Sequence, residues 1–320
     1  MLVNLYESKT PIAVFSLPLL IALLASTIFF VLPTTNNFPF EWQIQLTDNV
    51  QNINWLNYLL TVVISATTAH QLNNVYNQNS FFSKASFLPG FIYICCLVSF
   101  NALSFSPSLA AHLFFAWGLG QFLKLRRQEP AKAIIFQGSL LFGLAFICSP
   151  LQIGLIVLPW LALTIFRPFV WREWFMVIGG LIIPTMYYLA ATYMLRDELM
   201  VFTSGSAQLK GISDWHLLTW VNYSILGLII LGSFAKYIGV ARTEINRFKL
   251  QSQLLYHFFW LGLVAMILGW YFYDVQLLGL TVPLAIIIGT QLLHNKNLKV
   301  VNGIVIIWLI ISVANVILVG

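Results

Sequence analysis

Residues 175–198 read FMVIGGLIIPTMYYLAATYMLRDE, an apolar run followed by three charges. Its first 21 residues (175–195) carry no charge, and Arg196, Asp197 and Glu198 follow directly. An α-helix needs about 20 consecutive apolar residues to cross the hydrocarbon core of a bilayer. The stretch therefore predicts a membrane-spanning helix that ends at a charged loop.

The composition extends this interpretation to the whole chain. Of the 320 residues, 59% are hydrophobic and only 8% are charged, and the mean hydropathy is +0.85. A soluble domain carries about 25% charged residues. Because an unpaired backbone group is costly in lipid, apolar runs of this length favour helices over open strands. We predict a polytopic all-α membrane protein, with residues 1–320 forming a single transmembrane domain.

We predict eleven spans, and two pairs of them are divided only by Ser106-Pro107 and by Ser149-Pro150. Each of these pairs is either a tight helical hairpin or one interrupted helix. The first apolar run is expected to be an uncleaved span, because the residues after it (32–37, LPTTNN) lack a small-x-small cleavage site. The spans are predicted near residues 11–33, 54–77, 86–105, 108–125, 133–149, 151–166, 175–195, 215–238, 254–270, 277–293 and 300–319.

The basic residues predict the orientation of the chain. With the N-terminus in the cytoplasm and alternating spans, 14 of the 16 Lys and Arg residues lie on the cytoplasmic side. Cytoplasmic loops of membrane proteins carry such an excess. The count predicts a cytoplasmic N-terminus and an external C-terminus. Arg196 and Lys210 are then the two external basic residues.

Several functional classes are disfavoured by the sequence. It contains no P-loop, no H-E-x-x-H motif and no nucleophile elbow, and its three cysteines lie in apolar runs without zinc-ligand spacing. Few ionisable groups lie within the spans, which disfavours a proton relay. We predict no metal, no cofactor and no nucleic-acid partner. The expected partners are the lipid bilayer and other membrane-protein subunits.

The external loops carry the candidate functional residues. A carboxylate there can act as a general base, and a cationic side chain can bind an anionic phosphate at headgroup depth. The alternative is that these loop charges are solvated and that Arg196 pairs with a neighbouring carboxylate. The candidates are Glu41 and Asp48 as bases, and Arg196, Lys210, His112 and His216 as phosphate-binding groups, with both histidines at the external ends of their spans.

The stretch FRPFVWREWF, residues 166–175, is predicted to form a short cytoplasmic elbow. Its two arginines and two tryptophans are typical of segments docked in lipid headgroups. We interpret it as a structural hinge between two spans and not as a catalytic loop.

Residues 126–194 resemble the core of C-type (membrane-embedded) glycosyltransferases. The likeness lies in the order of segments, which is a basic turn, a glycine-containing span, a break with proline, a second span, a basic loop and a further span. The residues that match this order are Gly138, Gly143, Leu144, Ala145, Ser149, Pro150 and Pro159. The resemblance implies a polyprenyl-phosphate-linked sugar donor and transfer on the external face. It also implies that Asp48 or Glu41 is the base and that Arg196, Lys210, His112 or His216 neutralises the departing phosphate.

The whole chain also resembles a group of polytopic inner-membrane proteins from Bacteroidota that share an RPFxWREW elbow, here residues 167–174. This second likeness implies a multi-pass protein of the bacterial inner (cytoplasmic) membrane but no activity. Three functions therefore stay open. They are an accessory subunit of an envelope-assembly or secretion machine, a glycosyltransferase or polymerase using lipid-linked sugars, and a transporter or flippase for a lipid-linked substrate. The last is the least favoured, because no internal repeat is evident. Whether the protein is an enzyme is also left open.

Overall fold

A computed structural model of the chain describes Tyr6 and residues 11–31, 53–82, 84–126, 131–196, 216–243, 246–273, 278–295 and 298–319. Within these ranges the protein is all-helical, with eleven α-helices and no strand. The helices are α1 (Pro11–Val31), α2 (Asn54–Gln78), α3 (Leu88–Ser99), α4 (Pro107–Leu123), α5 (Lys132–Cys148), α6 (Leu158–Phe166), α7 (Trp171–Arg196), α8 (Leu217–Thr243), α9 (Asn246–Tyr273), α10 (Thr281–Leu293) and α11 (Leu298–Val319). Two 3₁₀ segments, Pro150–Val157 and Leu278–Leu280, lead into α6 and α10.

Each predicted span overlaps one of these α-helices, so the helical segmentation of the sequence is confirmed. Among the described residues, four helices are long and apolar enough to cross a membrane, namely α7, α8, α9 and α11. The structure thus defines an all-α protein of the membrane-spanning class.

Both short breaks separate two helices. Ser106 caps α4, because its side-chain oxygen accepts a hydrogen bond of 3.1 Å from the Leu109 N–H, and Pro107 occupies the first helical position. Ser149 has non-helical dihedrals (φ −140°, ψ 79°) between α5 and the 3₁₀ segment. At both positions one helix therefore ends before the next begins.

The centre of the bundle is formed by two short helices, α3 and α10. All 12 residues of α3 are buried, and so are 12 of the 13 residues of α10. The peripheral helices α7 and α8 instead expose large apolar side chains, such as Tyr187 (75% exposed) and Leu228 (70%). Extended apolar exposure of this kind is unfavourable in water but natural against lipid tails.

The helices α5 and α7 pack closely through two glycines. A Cβ added at Gly180 on α7 would lie 2.9 Å from the Phe136 carbonyl oxygen and 2.6 Å from the Ser139 Cβ. A Cβ added at Gly143 on α5 would lie 2.9 Å from the Leu181 carbonyl oxygen. Small residues allow backbones to approach where helices associate in lipid. Gly143 and Gly180 therefore determine the spacing of this helix pair.

Hydrogen bonds between helices occur at both ends of the bundle. At one end, Gln251 at the start of α9 donates to Asn79, which follows α2. At the other end, the hydroxyls of Ser99 and Ser312 lie 2.7 Å apart, and Asn222 near the start of α8 donates to the Ser99 carbonyl oxygen. The chain thus alternates between the two ends from helix to helix.

Eleven of the twelve described Lys and Arg residues lie at or near the first of these ends, which we call the basic end. Arg196, at the last position of α7, belongs to the opposite end. The eleven are Lys84, Lys124, Arg126, Lys132, Arg167, Arg172, Lys236, Arg242, Arg247, Lys249 and Lys299.

Candidate functional site

The predicted site on the external loops lies largely outside the described residues. This holds for Glu41, Asp48 and Lys210. Arg196 ends α7 at the opposite end of the bundle, and His216 is an exposed residue directly before α8. The backbone carbonyl of His216 accepts hydrogen bonds from the Thr219 and Trp220 N–H groups, so this residue begins the helix. The roles predicted for these residues stay predictions.

His112 lies deeper than its place near the start of α4 suggested. The backbone N–H of Phe105 donates to Asn57 at the opposite end, and a Cβ on Gly120 would meet the Val75 side chain nearer the basic end. Because α2 and α4 therefore run in parallel, His112 lies level with residues 64–68 of α2. At about 1.5 Å per residue, this is near the middle of a helix about 37 Å long.

The side chain of His112 is fully buried, at 0% exposed. Its Nδ1 lies 3.1 Å from the hydroxyl of Tyr93 on α3, and that hydroxyl also interacts with Thr68 on α2. Its Nε2 has no hydrogen-bond partner among the described residues. The arrangement places an ionisable ring between three helices, where it is not accessible to a phosphate at the membrane surface.

The basic end contains a cavity of about 520 Å³ that is lined by Arg126, Arg167 and Arg247. We call it the three-arginine cavity. It lies between the C-terminal end of α4, the C-terminal end of α6 and the first turns of α9. The lining residues are Leu125, Arg126, Thr164, Ile165, Phe166, Arg167, Pro168, Arg247 and Leu250.

Arg167 is held in place by the elbow that the sequence predicted. It adopts an extended conformation (φ −135°, ψ 150°), as expected for a residue that precedes proline, and this ends α6. Its guanidinium pairs with Glu173 in the first turn of α7 at 2.8 Å and donates to the Arg126 carbonyl oxygen at 2.8 Å. Both charged side chains are nearly buried, at 10% and 7% exposed. The ion pair thus closes the elbow and fixes one wall of the cavity.

The electrostatics of the three-arginine cavity favour an anion. Arginine stays protonated at any physiological pH, so the lining carries three fixed positive charges. The described lining residues include no carboxylate, and the charge of Arg167 is offset by Glu173, which lies outside the lining. The planar guanidinium matches the geometry of phosphate oxygens. Leu125, Ile165, Phe166 and Leu250 supply an apolar wall beside the charges.

In the sequence these three arginines are signals of orientation, and nothing there groups them as a site. Arg126 follows α4, Arg167 follows α6 and Arg247 begins α9, so their positions span 122 residues of chain. Their only local signal is the presence of a basic residue in each of three turns on the same predicted side of the membrane. Their convergence depends on the packing of α4, α6 and α9.

Comparisons of the chain with protein-family models, with curated proteins and with solved structures find no match. The class of the protein, an all-α protein with helices able to span a membrane, therefore follows from the fold itself.

Proposed function

We propose that this protein crosses the bacterial inner membrane eleven times and binds a phosphate-bearing lipid headgroup in the three-arginine cavity. In this proposal the basic end is cytoplasmic, the N-terminus lies inside and the C-terminus lies outside. The protein serves as an accessory component of an envelope-assembly or secretion machine, built on a glycosyltransferase-like helical core.

The distribution of charge supports the orientation. Eleven of the twelve described basic residues lie at the basic end, which is the distribution expected for a cytoplasmic face. The anionic lipids of that leaflet attract basic residues near the membrane surface by about 1 kcal/mol each.

The short central helices are compatible with eleven crossings. A helix of 12 or 13 residues, such as α3 or α10, is about 18–20 Å long at 1.5 Å per residue. The hydrocarbon core is about 30 Å thick. Because α3 and α10 are enclosed by protein, the non-helical backbone at their ends need not face lipid, and such backbone is tolerated when buried.

The three-arginine cavity is the observation that carries the binding function. It combines fixed cations with an apolar wall at the basic end of the bundle, where this proposal places the lipid headgroups. Hydrogen bonds to charged groups contribute about 1.5–3 kcal/mol each. An anionic lipid satisfies both features at once, because its phosphate contacts the guanidiniums and its glycerol and upper acyl chain contact the Phe166 side of the cavity.

A native mass-spectrometry titration of the full-length protein in detergent tests this function. Phosphatidylglycerol should bind more tightly than phosphatidylcholine. The double variant Arg126→Gln/Arg247→Gln should weaken phosphatidylglycerol binding by about tenfold or more, since it removes two charge-assisted contacts. Arg167 is kept because it holds the elbow.

The matched control is Lys124→Gln/Lys249→Gln, which removes the same charge from exposed residues of the same two segments outside the cavity lining. It should leave binding within about twofold of the wild type, because exposed charges contribute little. Equal losses in both double variants, or no loss in either, would contradict the proposed site.

The glycosyltransferase and flippase functions depend on the external loops, where Glu41, Asp48 and Lys210 lie outside the described residues. They stay predictions from the sequence. Retained lipid binding in the absence of sugar transfer is the expected behaviour of an accessory protein.

A further inference from the structure

The three-arginine cavity is open at the surface of the basic end. Arg126, Thr164 and Arg247 are exposed, whereas Leu125 and Phe166 in its wall are buried. An anion therefore reaches Arg126 and Arg247 directly from the surface.

The three guanidiniums come from three different segments of the chain. Arg126 follows α4, Arg167 follows α6 and Arg247 lies in the first turn of α9. A guanidinium forms its best hydrogen bonds with the paired oxygens of a carboxylate or a phosphate. A phosphate monoester has three unesterified oxygens, whereas a phosphate diester such as phosphatidylglycerol has one fewer. A terminal phosphate therefore matches donors from three segments better than a bridging phosphate does.

The charge of the described lining also exceeds that of a phosphate diester. Arg167 is paired with Glu173 at 2.8 Å. Arg126 and Arg247 contribute two further positive charges that this carboxylate does not offset. A phosphate monoester carries a charge of about −1.5 to −2 at pH 7, whereas a diester carries a single negative charge. The monoester therefore neutralises the excess charge more completely.

The lining offers little to a substituent on the phosphate. The neutral polar side chain among its described residues is Thr164, whose hydroxyl donates to the Leu161 carbonyl oxygen of the same helix at 2.9 Å. The described lining contains no carboxylate and no amide side chain, which are the groups that bind polyol hydroxyls or an ammonium. A glycerol, choline or ethanolamine substituent therefore gains few specific contacts with these side chains.

An apolar strip continues from the cavity toward the middle of the bundle. Leu161 and Val157 precede Thr164 by three and seven residues, a spacing that places side chains on one side of a helix. Leu161 is half-buried and Val157 is 44% exposed. A hydrocarbon chain can lie along this strip while its phosphate occupies the cavity, and a soluble phosphate cannot use the strip.

We infer that the three-arginine cavity selects a membrane lipid whose headgroup is a phosphate monoester, as in phosphatidic acid. This inference rests on the proposed function and narrows it from anionic lipids in general to terminal phosphates. The lipid binds as its dianion. The fraction that carries a proton in solution therefore gives that proton up to water on binding.

The described side chains at the cavity do not make binding depend on pH near neutrality. They are the three arginines and Glu173, which pairs with Arg167. Arginine stays protonated at any physiological pH. Lys124 and Lys249 add exposed charges on the same segments outside the lining. A change of affinity with pH therefore reports on the ligand.

The ligand itself titrates in this range. The second ionisation of a phosphate monoester has a pKa of about 6 in solution, and nearby cations lower this pKa in the bound lipid. The dianion becomes more abundant in solution as the pH rises through this pKa. The affinity for phosphatidic acid therefore increases with pH and levels off once the free lipid is fully ionised.

Native mass spectrometry of the full-length protein in detergent tests the selection. Phosphatidic acid and phosphatidylglycerol with identical acyl chains are compared at about pH 7.5, where phosphatidic acid should bind about tenfold more tightly, because it gains a charge-assisted hydrogen bond. Lowering the pH to about 5.5 should weaken phosphatidic acid binding about threefold and leave phosphatidylglycerol binding unchanged. A titrating protein group, wherever it lies in the chain, would change the binding of both lipids.

Arg247→Gln tests the part that the cavity plays in the selection. It removes one of the two excess charges, so the preference for phosphatidic acid over phosphatidylglycerol should fall to about threefold or less. Lys249→Gln removes an equal charge outside the lining and should leave the preference unchanged. Glycerol 3-phosphate, which has the same terminal phosphate and no acyl chain, should not displace phosphatidic acid at equal concentration.

The outcomes separate this inference from the proposed function. Equal binding of the two lipids, both weakened by Arg126→Gln/Arg247→Gln, would overturn the selection and leave the proposed function standing. A phosphatidic acid affinity that is the same at both pH values would also overturn the selection. Displacement by glycerol 3-phosphate would overturn the lipid as the source of the phosphate. Failure of both lipids to bind would overturn the proposed function itself.

Discussion

At the scale of single residues, Arg167 links the fold to the candidate site. Its guanidinium contacts the Glu173 carboxylate and the Arg126 carbonyl oxygen, each at 2.8 Å, and it also lines the three-arginine cavity. The fixed fork of five N–H donors lets one arginine serve several acceptors at once, which a lysine cannot do in the same geometry. Arg167 therefore couples the direction of α7 to the shape of the cavity.

Glu173→Gln tests this coupling. Breaking one partner of a buried ion pair leaves the other charge uncompensated and costs about 3–5 kcal/mol. Because Arg167 keeps the Arg126 carbonyl, we expect a loss near the lower end of that range, measured as a fall in the thermal unfolding midpoint in detergent.

The double variant Arg167→Gln/Glu173→Gln is the control for this prediction. It removes both charges together and should recover part of the lost stability, because no isolated buried charge remains. If the single variant is as stable as the wild type, the pair does not close the elbow.

The elbow was predictable from the sequence, and the depth of His112 was not. Pro168 forces Arg167 out of the helical region, and the surrounding Arg and Trp residues mark a turn near headgroups. His112 stands five residues after the first residue of α4, which suggested the membrane surface. Its true depth follows from the Phe105–Asn57 hydrogen bond, which sets α4 against α2 and has no signature in either segment alone.

At the scale of helices, the pair α5 and α7 shows how backbone contact replaces hydrophobic association. Lipid tails are as apolar as leucine, so helices gain by close packing and not by leaving water. Gly180 faces the backbone of α5, whereas a Cβ at the adjacent Gly179 would have no atom within 4 Å. Gly180 is therefore needed for the close packing of α5 and α7, whereas Gly179 is not.

Gly180→Ala should destabilise the protein by about 1–3 kcal/mol, the usual cost of overpacking, because the nearby Phe136 and Leu140 backbone atoms cannot rotate away. Gly179→Ala should change stability by no more than about 0.5 kcal/mol, as a substitution into open space does. Unfolding curves of the two variants, measured in the same detergent, test this difference in stability. Equal losses of stability in the two variants would contradict the close approach of α7 to α5 at Gly180.

The helix positions were predictable because each apolar run is long and ends in polar or proline-containing turns. Pro107 with the Ser106 cap is one such boundary. The different roles of the helices were less evident, since the central α3 and the peripheral α8 are both almost uniformly apolar in sequence. Which of them is enclosed by protein depends on contacts between distant segments, such as the packing of α3 against α10.

At the scale of the whole molecule, the proposed function depends on one orientation. The three-arginine cavity meets anionic lipid headgroups of the cytoplasmic leaflet only if the basic end is inside. The asymmetry of eleven basic residues against one within the described ranges supports that orientation.

Labelling of single cysteines in spheroplasts tests this orientation most directly. In the background without Cys95, Cys96 and Cys148, one cysteine is placed at an exposed position, Lys84 or Lys299 at the basic end and Ile53 or His216 at the opposite end. A membrane-impermeant maleimide should label the cysteines at 53 and 216 in intact spheroplasts, and those at 84 and 299 only after lysis. Labelling of 84 and 299 from outside, or of one basic-end position but not the other, would contradict the account.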